Sequence, residues 1–211
     1  MINPEVVIYD FDGVICDSVN VKTEAFVEMY KSYGPEIQTQ VKEYHLLNGG
    51  ISRFEKFRYF QSVLLSKKVS ENDIIELSDQ FAALVKEKII ASEYIKGAYE
   101  FTKKNSYKKQ FICTGTPETE IIEIANRKGI SSFFQQLYGS PKKKADIINI
   151  ILTQTKVNRD HCIFFGDAMT DYNAAQICEI PFIGIENPET VFPSGTTIIR
   201  DFEDLVLNLY I

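Results

Sequence analysis

The stretch "YDFDGVICDS", residues 9–18, follows the apolar run "VVI" and places two aspartates, Asp10 and Asp12, where that run ends. A continuous apolar run of this kind predicts a strand that is covered on both faces. Side chains two positions apart on an extended chain point the same way, so both carboxylates would face one pocket. Because like charges this close repel each other, we expect a positive charge between them.

Composition restricts the classes of protein to which the chain can belong. Of its 211 residues, 45% are apolar and 25% are charged, as in an ordinary globular protein. The formal net charge of −6 argues against a general nucleic-acid binder, which would normally have a basic face. No CxxC pairing, signal peptide or membrane-length apolar run is present. We therefore expect a cytoplasmic protein without nucleic-acid or membrane partners, and we make no prediction of its oligomeric state.

Further short apolar runs alternate with helix-like segments along the second half of the chain. The runs that predict strands are 6–11, 110–114, 135–139, 162–167, 182–186 and 197–201. The segments that predict helices are 116–128, 142–156 and 170–178. This alternation predicts an α/β fold, a Rossmann-like parallel sheet with helices on both faces.

The interval 18–92 has almost no strand signal. An apolar stripe at helical spacing runs through Ile74, Leu77, Phe81, Leu84, Val85, Lys88 and Ile89. Since no structureless loop of this length belongs in a compact domain, we predict a helical insertion after the first strand. The predicted division is a core domain, residues 1–17 and 93–211, and a helical domain, residues 18–92.

A second acidic pair follows the strand-like run at 162–167. In "FFGDAMTD", Asp167 stands at the strand end and Asp171 comes four residues later. If Thr170 caps the next helix, Asp171 lies in the first turn, where an acid is also favoured for purely structural reasons. Carboxyl ends of parallel strands meet at one edge, so the four acids supply hard oxygen ligands suited to Mg²⁺.

Two more strand ends supply a hydroxyl and an ammonium group. In "ICTGTP", Thr114 ends a strand, and the N–H groups of Gly115 and Thr116 lead into a helix, which is a natural seat for phosphate. In "GSPKKK", a lysine near the next helix can bring positive charge to that phosphate, with Lys144 and Lys143 as candidates.

The set "DFDGV", "CTGTP", "GSPKKK" and "GDAMTD" resembles the four motifs of the haloacid dehalogenase-like hydrolase superfamily, in the family's order. The resemblance implies that Asp10 is the nucleophile that becomes an aspartyl phosphate, and that Asp12 is the general acid and base. It implies that Thr114 hydrogen-bonds the phosphoryl oxygens. The family pattern GSPxxK favours Lys144 as the lysine that neutralises charge on the nucleophile and the phosphate.

The resemblance also implies a metal site and a cap. Mg²⁺ would be held by the carboxylates of Asp10 and Asp167 and by the backbone carbonyl of Asp12. Asp171 would be either a further ligand or a residue that contacts the ligands without binding the metal itself. The helical domain, residues 18–92, corresponds to the C1 cap of the superfamily, which closes over the site.

The segment "GGISR", residues 49–53, is similar to a GxSR segment of sugar-phosphate mutases and phosphatases in which the arginine grips an anionic part of the substrate. Arg53 and Gly115 are therefore candidate substrate-binding residues, and a plain surface role for Arg53 stays open. We interpret His45 and His161 as surface or structural residues, since neither follows a motif strand in the right phase.

An acid at position 12 indicates phosphoester chemistry, because dehalogenases and phosphonatases of the superfamily lack it. The first hypothesis is a Mg²⁺-dependent phosphomonoesterase that acts on a small phosphorylated metabolite, such as a sugar phosphate or phosphoglycolate, through an aspartyl phosphate. The alternative is a β-phosphoglucomutase-type phosphotransferase. A third hypothesis, from another class, is a non-catalytic sensor of phosphorylated metabolites.

Overall fold

A computed structural model describes residues 4–203 and 205 of the chain. The strands within this part form one parallel sheet in the order β3-β2-β1-β4-β5-β6. Their bounds are β1 Val6–Tyr9, β2 Lys109–Pro117, β3 Gln136–Ser140, β4 Cys162–Gly166, β5 Phe182–Ile185 and β6 Thr197–Ile199. Helices cover both faces, so the predicted α/β fold is confirmed.

Strand β1 lies at the centre of the sheet, between β2 and β4. Tyr9, its last residue, is in register with Ile112 of β2 and Phe165 of β4. The winding of the sheet reverses direction here, and in open α/β sheets ligands bind in the crevice that such a reversal leaves at the carboxyl ends of the strands. The residue that follows Tyr9 is Asp10, so the fold places this carboxylate at the crevice.

Alternate side chains of β1 belong to two different apolar cores. Val7 and Tyr9 pack on the face that also holds helix α6, whereas Val6 and Ile8 pack on the face covered by α7 and α8. Burial on both faces explains why the strand reads as a continuous apolar run. The helices between strands are α5 Ala98–Lys104, α6 Glu118–Arg127, α7 Lys144–Thr155 and α8 Met169–Ile177.

Two predicted helix starts are displaced. Helix α6 begins after Pro117, because β2 continues through Pro117 and pairs it with Ser140 of β3. Helix α8 begins at Met169, and the side chain of Asp171, rather than that of Thr170, accepts the backbone N–H of Ala168 at 3.2 Å. The prediction that Thr170 is the cap is therefore wrong.

Between β1 and β2 the chain forms mostly helices, as predicted. They are α1 Val19–Met29, α2 Pro35–Leu47, α3 Arg53–Tyr59, which continues as a π-helical turn at Phe60–Leu64, and α4 Glu71–Ala91. The buried positions of α4 are Ile74, Ser78, Phe81, Val85 and Ile89. Leu84 and Lys88 of the predicted stripe are exposed, because the buried face of α4 is narrower than the stripe. No helix among the described residues is both long and apolar enough to cross a membrane.

Substitution of Phe81 by alanine tests the core of the helical insertion. The Phe81 ring is buried, with its centroid 4.2 Å from that of Phe26 and 6.0 Å from that of Phe57. We expect Phe81→Ala to lower the free energy of unfolding by about 3–5 kcal/mol, measured by urea denaturation. Leu84→Ala, on the exposed edge of the same helix, should cost about 1 kcal/mol or less. Equal losses in the two variants would contradict this packing.

Candidate active site

Three buried carboxylates meet at the carboxyl end of the sheet. Asp10 follows β1, Asp167 follows β4, and Asp171 lies in the first turn of α8. Each offers an oxygen such that the three oxygens lie within 4.8 Å of one another, and all three residues are buried. The fold therefore brings together three of the four acids that the sequence predicted to share one place.

Lys144 supplies the positive charge at this cluster. It opens helix α7, and its Nζ lies 2.7 Å from Oδ2 of Asp10 and also donates to Asp171. Lys143 precedes the helix and is exposed, so the choice between the two lysines falls on Lys144. Burial opposes the charged form of Lys144, but the carboxylates of Asp10 and Asp171 outweigh burial and raise its pKa.

The acidic cluster carries more negative charge than its one ammonium neutralises. Within residues 4–203, Lys144 is the only cation that forms an ion pair with any of these three acids, and its partners are Asp10 and Asp171. Burial, together with the neighbouring carboxylates of Asp10 and Asp171, raises the pKa of Asp167 well above its usual value. Burial also raises the pKa of Asp171. When all three acids are ionised, this buried set of hard oxygen donors has a surplus of two negative charges, which fits a divalent cation.

A glycine shapes the turn that brings Asp12 beside this cluster. Gly13 has a φ of +76°, and a Cβ placed on it would collide with the carboxylate of Asp167. Only a residue without a side chain fits a left-handed turn this close to another element. The "DFDGV" turn therefore lies directly against the end of β4.

The carboxylate of Asp12 lies in a hydrogen-bond network of its own. It is paired with Nζ of Lys22 at 2.5 Å and accepts from Oγ of Ser18 at 2.6 Å and from Oγ1 of Thr116 at 3.2 Å. Burial alone would raise the pKa of Asp12, but the charge of Lys22 and these hydrogen bonds lower it. Sequence reasoning missed Lys22, although its position one helical turn after Ser18 places it on the same side of the chain.

The segment between α2 and α3 contacts β2, α7 and α8 at the edge of the site. A Cβ on Gly115 would meet the carbonyl oxygen of Gly50, and a Cβ on Gly50 would meet Nζ of Lys144. The hydroxyl of Thr170 donates to the carbonyl oxygen of Gly49 at 2.6 Å. Thr114 is buried next to Gly115, and its Oγ1 accepts the N–H of Thr116 at 3.3 Å. The helical insertion and the sheet therefore touch where Thr114, Gly115 and Lys144 meet.

Arg53 is buried, and its guanidinium is hydrogen-bonded to two other side chains. Its guanidinium donates to both carboxylate oxygens of Glu120, with Nη2 at 2.5 Å, and its Nε donates to Oγ of Ser78 at 2.8 Å. It also lies 5.4 Å from the centroid of the Phe81 ring. A plain surface role is therefore wrong, because the side chain joins α3 to α6 from inside. Arg53 also lines a pocket that extends to Asp10, Asp12 and Thr114. Its role in binding substrate stays a prediction.

His45 and Lys56 form a second buried pair. Nζ of Lys56 lies 2.7 Å from Nδ1 of His45, and both residues line the pocket that reaches Asp10. Burial and repulsion by Lys22 lower the pKa of Lys56 to about 7, and burial and repulsion by Lys56 lower the pKa of His45. His45 is not a surface residue, so of the two roles expected for it only the structural one stays open, whereas His161 is exposed beside Glu5. Sequence reasoning missed Lys56, which lies one turn beyond Arg53 on the buried face of α3.

Comparison with known proteins places this site in a family. Residues 7–185 match the family of haloacid dehalogenase-like hydrolases. The chain is 24% identical over 177 residues to a phosphorylated carbohydrates phosphatase of Thermotoga maritima. This alignment covers 82% of this chain and 80% of the relative.

Two solved structures have the same fold. β-Phosphoglucomutase of Clostridium difficile aligns with a TM-score of 0.78 and 20% identity, covering 97% of this chain and 94% of that one. A haloacid dehalogenase-like hydrolase of Streptococcus pneumoniae aligns with a TM-score of 0.66 and 21% identity, covering 88% of this chain and 86% of that one.

The buried ammonium of Lys56 should destabilise the fold at neutral pH. Its pKa of about 7 in the folded chain is below the usual 10.5, so between these values the unfolded chain binds more protons. Lys56→Met should therefore be more stable than the parent by about 1–4 kcal/mol at pH 7. This advantage should shrink as the pH rises toward 10, by at most about 1.4 kcal/mol per unit.

Urea denaturation of both proteins between pH 7 and pH 9.5 measures this difference. Lys42→Met, which removes an exposed lysine from α2, is the control and should differ from the parent by the same small amount at every pH. A difference for Lys56→Met that does not change with pH would show that Lys56 is charged alike in the folded and unfolded chains.

Proposed function

This chain belongs to the haloacid dehalogenase-like hydrolases and is an enzyme of their phosphatase type, and we propose that it is a Mg²⁺-dependent phosphomonoesterase of small phosphorylated carbohydrates. The observation that carries this proposal is the contact of Lys144 with Asp10 inside a cluster of buried acids, with Asp12 two residues away. The activity named for the Thermotoga maritima relative supports the choice of phosphorylated carbohydrates over other small metabolites.

Asp10 is the proposed nucleophile. Its Oδ1 accepts the backbone N–H of Phe11 at 2.6 Å, and its Oδ2 is held by Lys144, so the carboxylate is fixed in the crevice. One of its oxygens forms a bond to phosphorus while the bond from phosphorus to the ester oxygen breaks. The leaving oxygen takes a proton from Asp12. The product of this half is an alcohol and an aspartyl phosphate.

Asp12 acts again in the second half. It accepts a proton from a water molecule whose oxygen attacks phosphorus, and the bond between phosphorus and Asp10 breaks to release phosphate. The network of Lys22, Ser18 and Thr116 lowers the pKa of Asp12 and so favours the form that accepts this proton. The hydroxyl of Thr114 and the N–H of Gly115 are proposed to bind the phosphoryl oxygens.

The carboxylates of Asp10 and Asp167 and the backbone carbonyl of Asp12 would hold Mg²⁺, with Asp171 as a ligand or behind the ligands. When bound, Mg²⁺ neutralises charge on the phosphoryl oxygens. Lys144 positions Asp10 and Asp171, and Asn187 positions Asp167, since its Nδ2 donates to Oδ2 of Asp167 at 2.9 Å.

Residues 18–92 are proposed to act as a cap on the core of residues 1–17 and 93–211. The contacts of Gly49 and Gly50 with Thr170, Lys144 and Gly115 support a cap that reaches the phosphate side of the site. A cap that covers the site favours small substrates over proteins. We also propose a cytoplasmic location, which four buried cysteines without disulfides support.

A β-phosphoglucomutase-type reaction would use the same core but would keep the phosphate on Asp10 until a sugar hydroxyl returns. Arg53 is the residue that the sequence offered for gripping the other phosphate of such a substrate. Because its guanidinium is already bound by Glu120 and Ser78, we favour hydrolysis. A requirement for a sugar bisphosphate as activator would identify the mutase instead.

Replacement of the nucleophile tests the proposed reaction. Phosphate release from a panel of phosphorylated carbohydrates should require Mg²⁺ and should fall by ~10³-fold or more in Asp10→Asn. Asp17→Asn, an exposed acid of the same turn region, is the matched control and should keep activity. Acid quenching during turnover should trap phosphate on the parent and on Asp17→Asn only. Equal phosphate release from Asp10→Asn and from the parent would refute the proposed nucleophile.

Replacement of Asp167 tests the metal site by stability alone. We expect Mg²⁺ to raise the melting temperature of the parent, since a ligand that binds only the folded chain stabilises it. Asp167→Asn removes one of the crowded carboxylates, so the variant should melt higher than the parent without metal but gain much less from Mg²⁺. An equal gain in both proteins would place the metal elsewhere.

A further inference from the structure

Lys56 differs from the other cations of the pocket because no acid neutralises it. Lys22 is paired with Asp12, and Arg53 with Glu120. Lys56 is 3% exposed, and among the described residues its ammonium contacts only Nδ1 and the carbonyl oxygen of His45, at 2.7 and 3.3 Å. A buried ammonium without a counter-charge is unfavourable unless a ligand supplies one.

His45 adds a second group without a partner. Its Nδ1 faces the Lys56 ammonium, which has hydrogens to donate and no lone pair to accept one. Nδ1 is therefore the acceptor, and a neutral ring then carries its hydrogen on Nε2. This Nε2 is buried and has no hydrogen-bond partner in the described part of the chain. The pair thus presents donors only.

The pair faces the same pocket as the proposed chemistry. Asp10, Asp12 and Thr114 line this pocket together with His45 and Lys56. Phe26, Ile51 and Phe81 add apolar walls to the lining. A substrate whose phosphate lies at Asp10 would therefore present its remaining groups to these donors. Donors without acceptors select an acceptor that carries negative charge.

Acids that line the pocket do not take this role. Asp10 and Asp12 have their own ammonium partners, and Asp167 accepts from Asn187. Glu189 also lines the pocket but is exposed, and it makes no ion pair with Lys56. The missing negative charge is thus left for a ligand to bring.

We propose that Lys56 and His45 bind a second anionic group of the substrate, a carboxylate or a phosphate remote from the one that is transferred. This inference rests on the proposed function, because it takes the pocket at Asp10 as the place of phosphoryl transfer. It assigns recognition of that group to Lys56 on α3 and His45 on α2 instead of Arg53. The substrate class is then a phosphorylated sugar acid or a sugar bisphosphate, not a neutral sugar monophosphate.

Three substrates on one carbon skeleton test the assignment. They are an aldose monophosphate, the aldonate monophosphate of the same chain length, and the corresponding bisphosphate. The parent should prefer one or both doubly anionic compounds in kcat/KM, and the preferred compound identifies the group as carboxylate or phosphate. In Lys56→Met that preference should fall by ~10-fold or more, mainly through KM. Lys42→Met, the exposed lysine of α2, should keep the preference of the parent.

Further variants separate binding from folding. His45→Phe fills the same space without the Nε2 donor and should also reduce the preference. Lys56→Arg keeps the positive charge, so this variant should retain more of the preference for doubly anionic substrates than Lys56→Met does. A parent without preference for a second anion, or a preference unchanged in both Lys56→Met and His45→Phe, overturns the inference and leaves the phosphatase standing.

A binding measurement tests the inference in the case that the protein turns over none of the three compounds. If no compound releases phosphate, the proposed function fails, and calorimetric titration of the parent and Lys56→Met with the same three compounds decides the inference. Tighter binding of the doubly anionic compounds by the parent, lost in Lys56→Met, supports the site. Equal affinities overturn it.

Discussion

The crowding of three buried carboxylates at the end of the central strand is the constraint to which the rest of the core responds. Each acid needs donors, because a buried charge without them is strongly unfavourable. Helix α7 therefore opens with Lys144 against Asp10, and the first turn of α8 offers the Ala168 N–H to Asp171. The residues after β5 contribute Asn187 to Asp167. The parallel sheet makes this possible, since it brings the ends of β1 and β4 side by side.

A second consequence concerns the helical insertion, which contacts the candidate site at two points. Lys22 of α1 contacts both the carboxylate of Asp12 and, at 2.8 Å, the hydroxyl of Thr116 at the end of β2. Gly50 approaches Lys144 so closely that no side chain fits between them. The position of the insertion is thus linked to Asp12, the proposed general acid and base, and to Lys144, which contacts the proposed nucleophile Asp10. Movement of this part of the chain would change both together.

Sequence reasoning succeeded where the physical rule is local. Continuous apolar runs mark buried parallel strands, and strand ends in such a sheet share one edge, so the meeting of Asp10, Asp167 and Asp171 could be predicted. Contacts between side chains of different helices could not be predicted in this way. Arg53 and Glu120 are 67 residues apart, and only the packing of α4 against both α3 and α6 brings them together. The exposure of Leu84 depends in the same way on how much of α4 its neighbours cover.

Lys56 shows why such contacts matter for function. Lys56 lies between Glu55 and Phe57 on a short helix, and nothing in this local sequence indicates that its ammonium is buried. In the fold, that ammonium lies 5.7 Å from the centroid of the Phe26 ring, with a histidine as its partner. An apolar residue of similar size would be easier to bury there. A chain that nevertheless has an unneutralised cation in this pocket carries a local conflict of the kind expected at functional sites, and the proposed second anionic group of the substrate would resolve it.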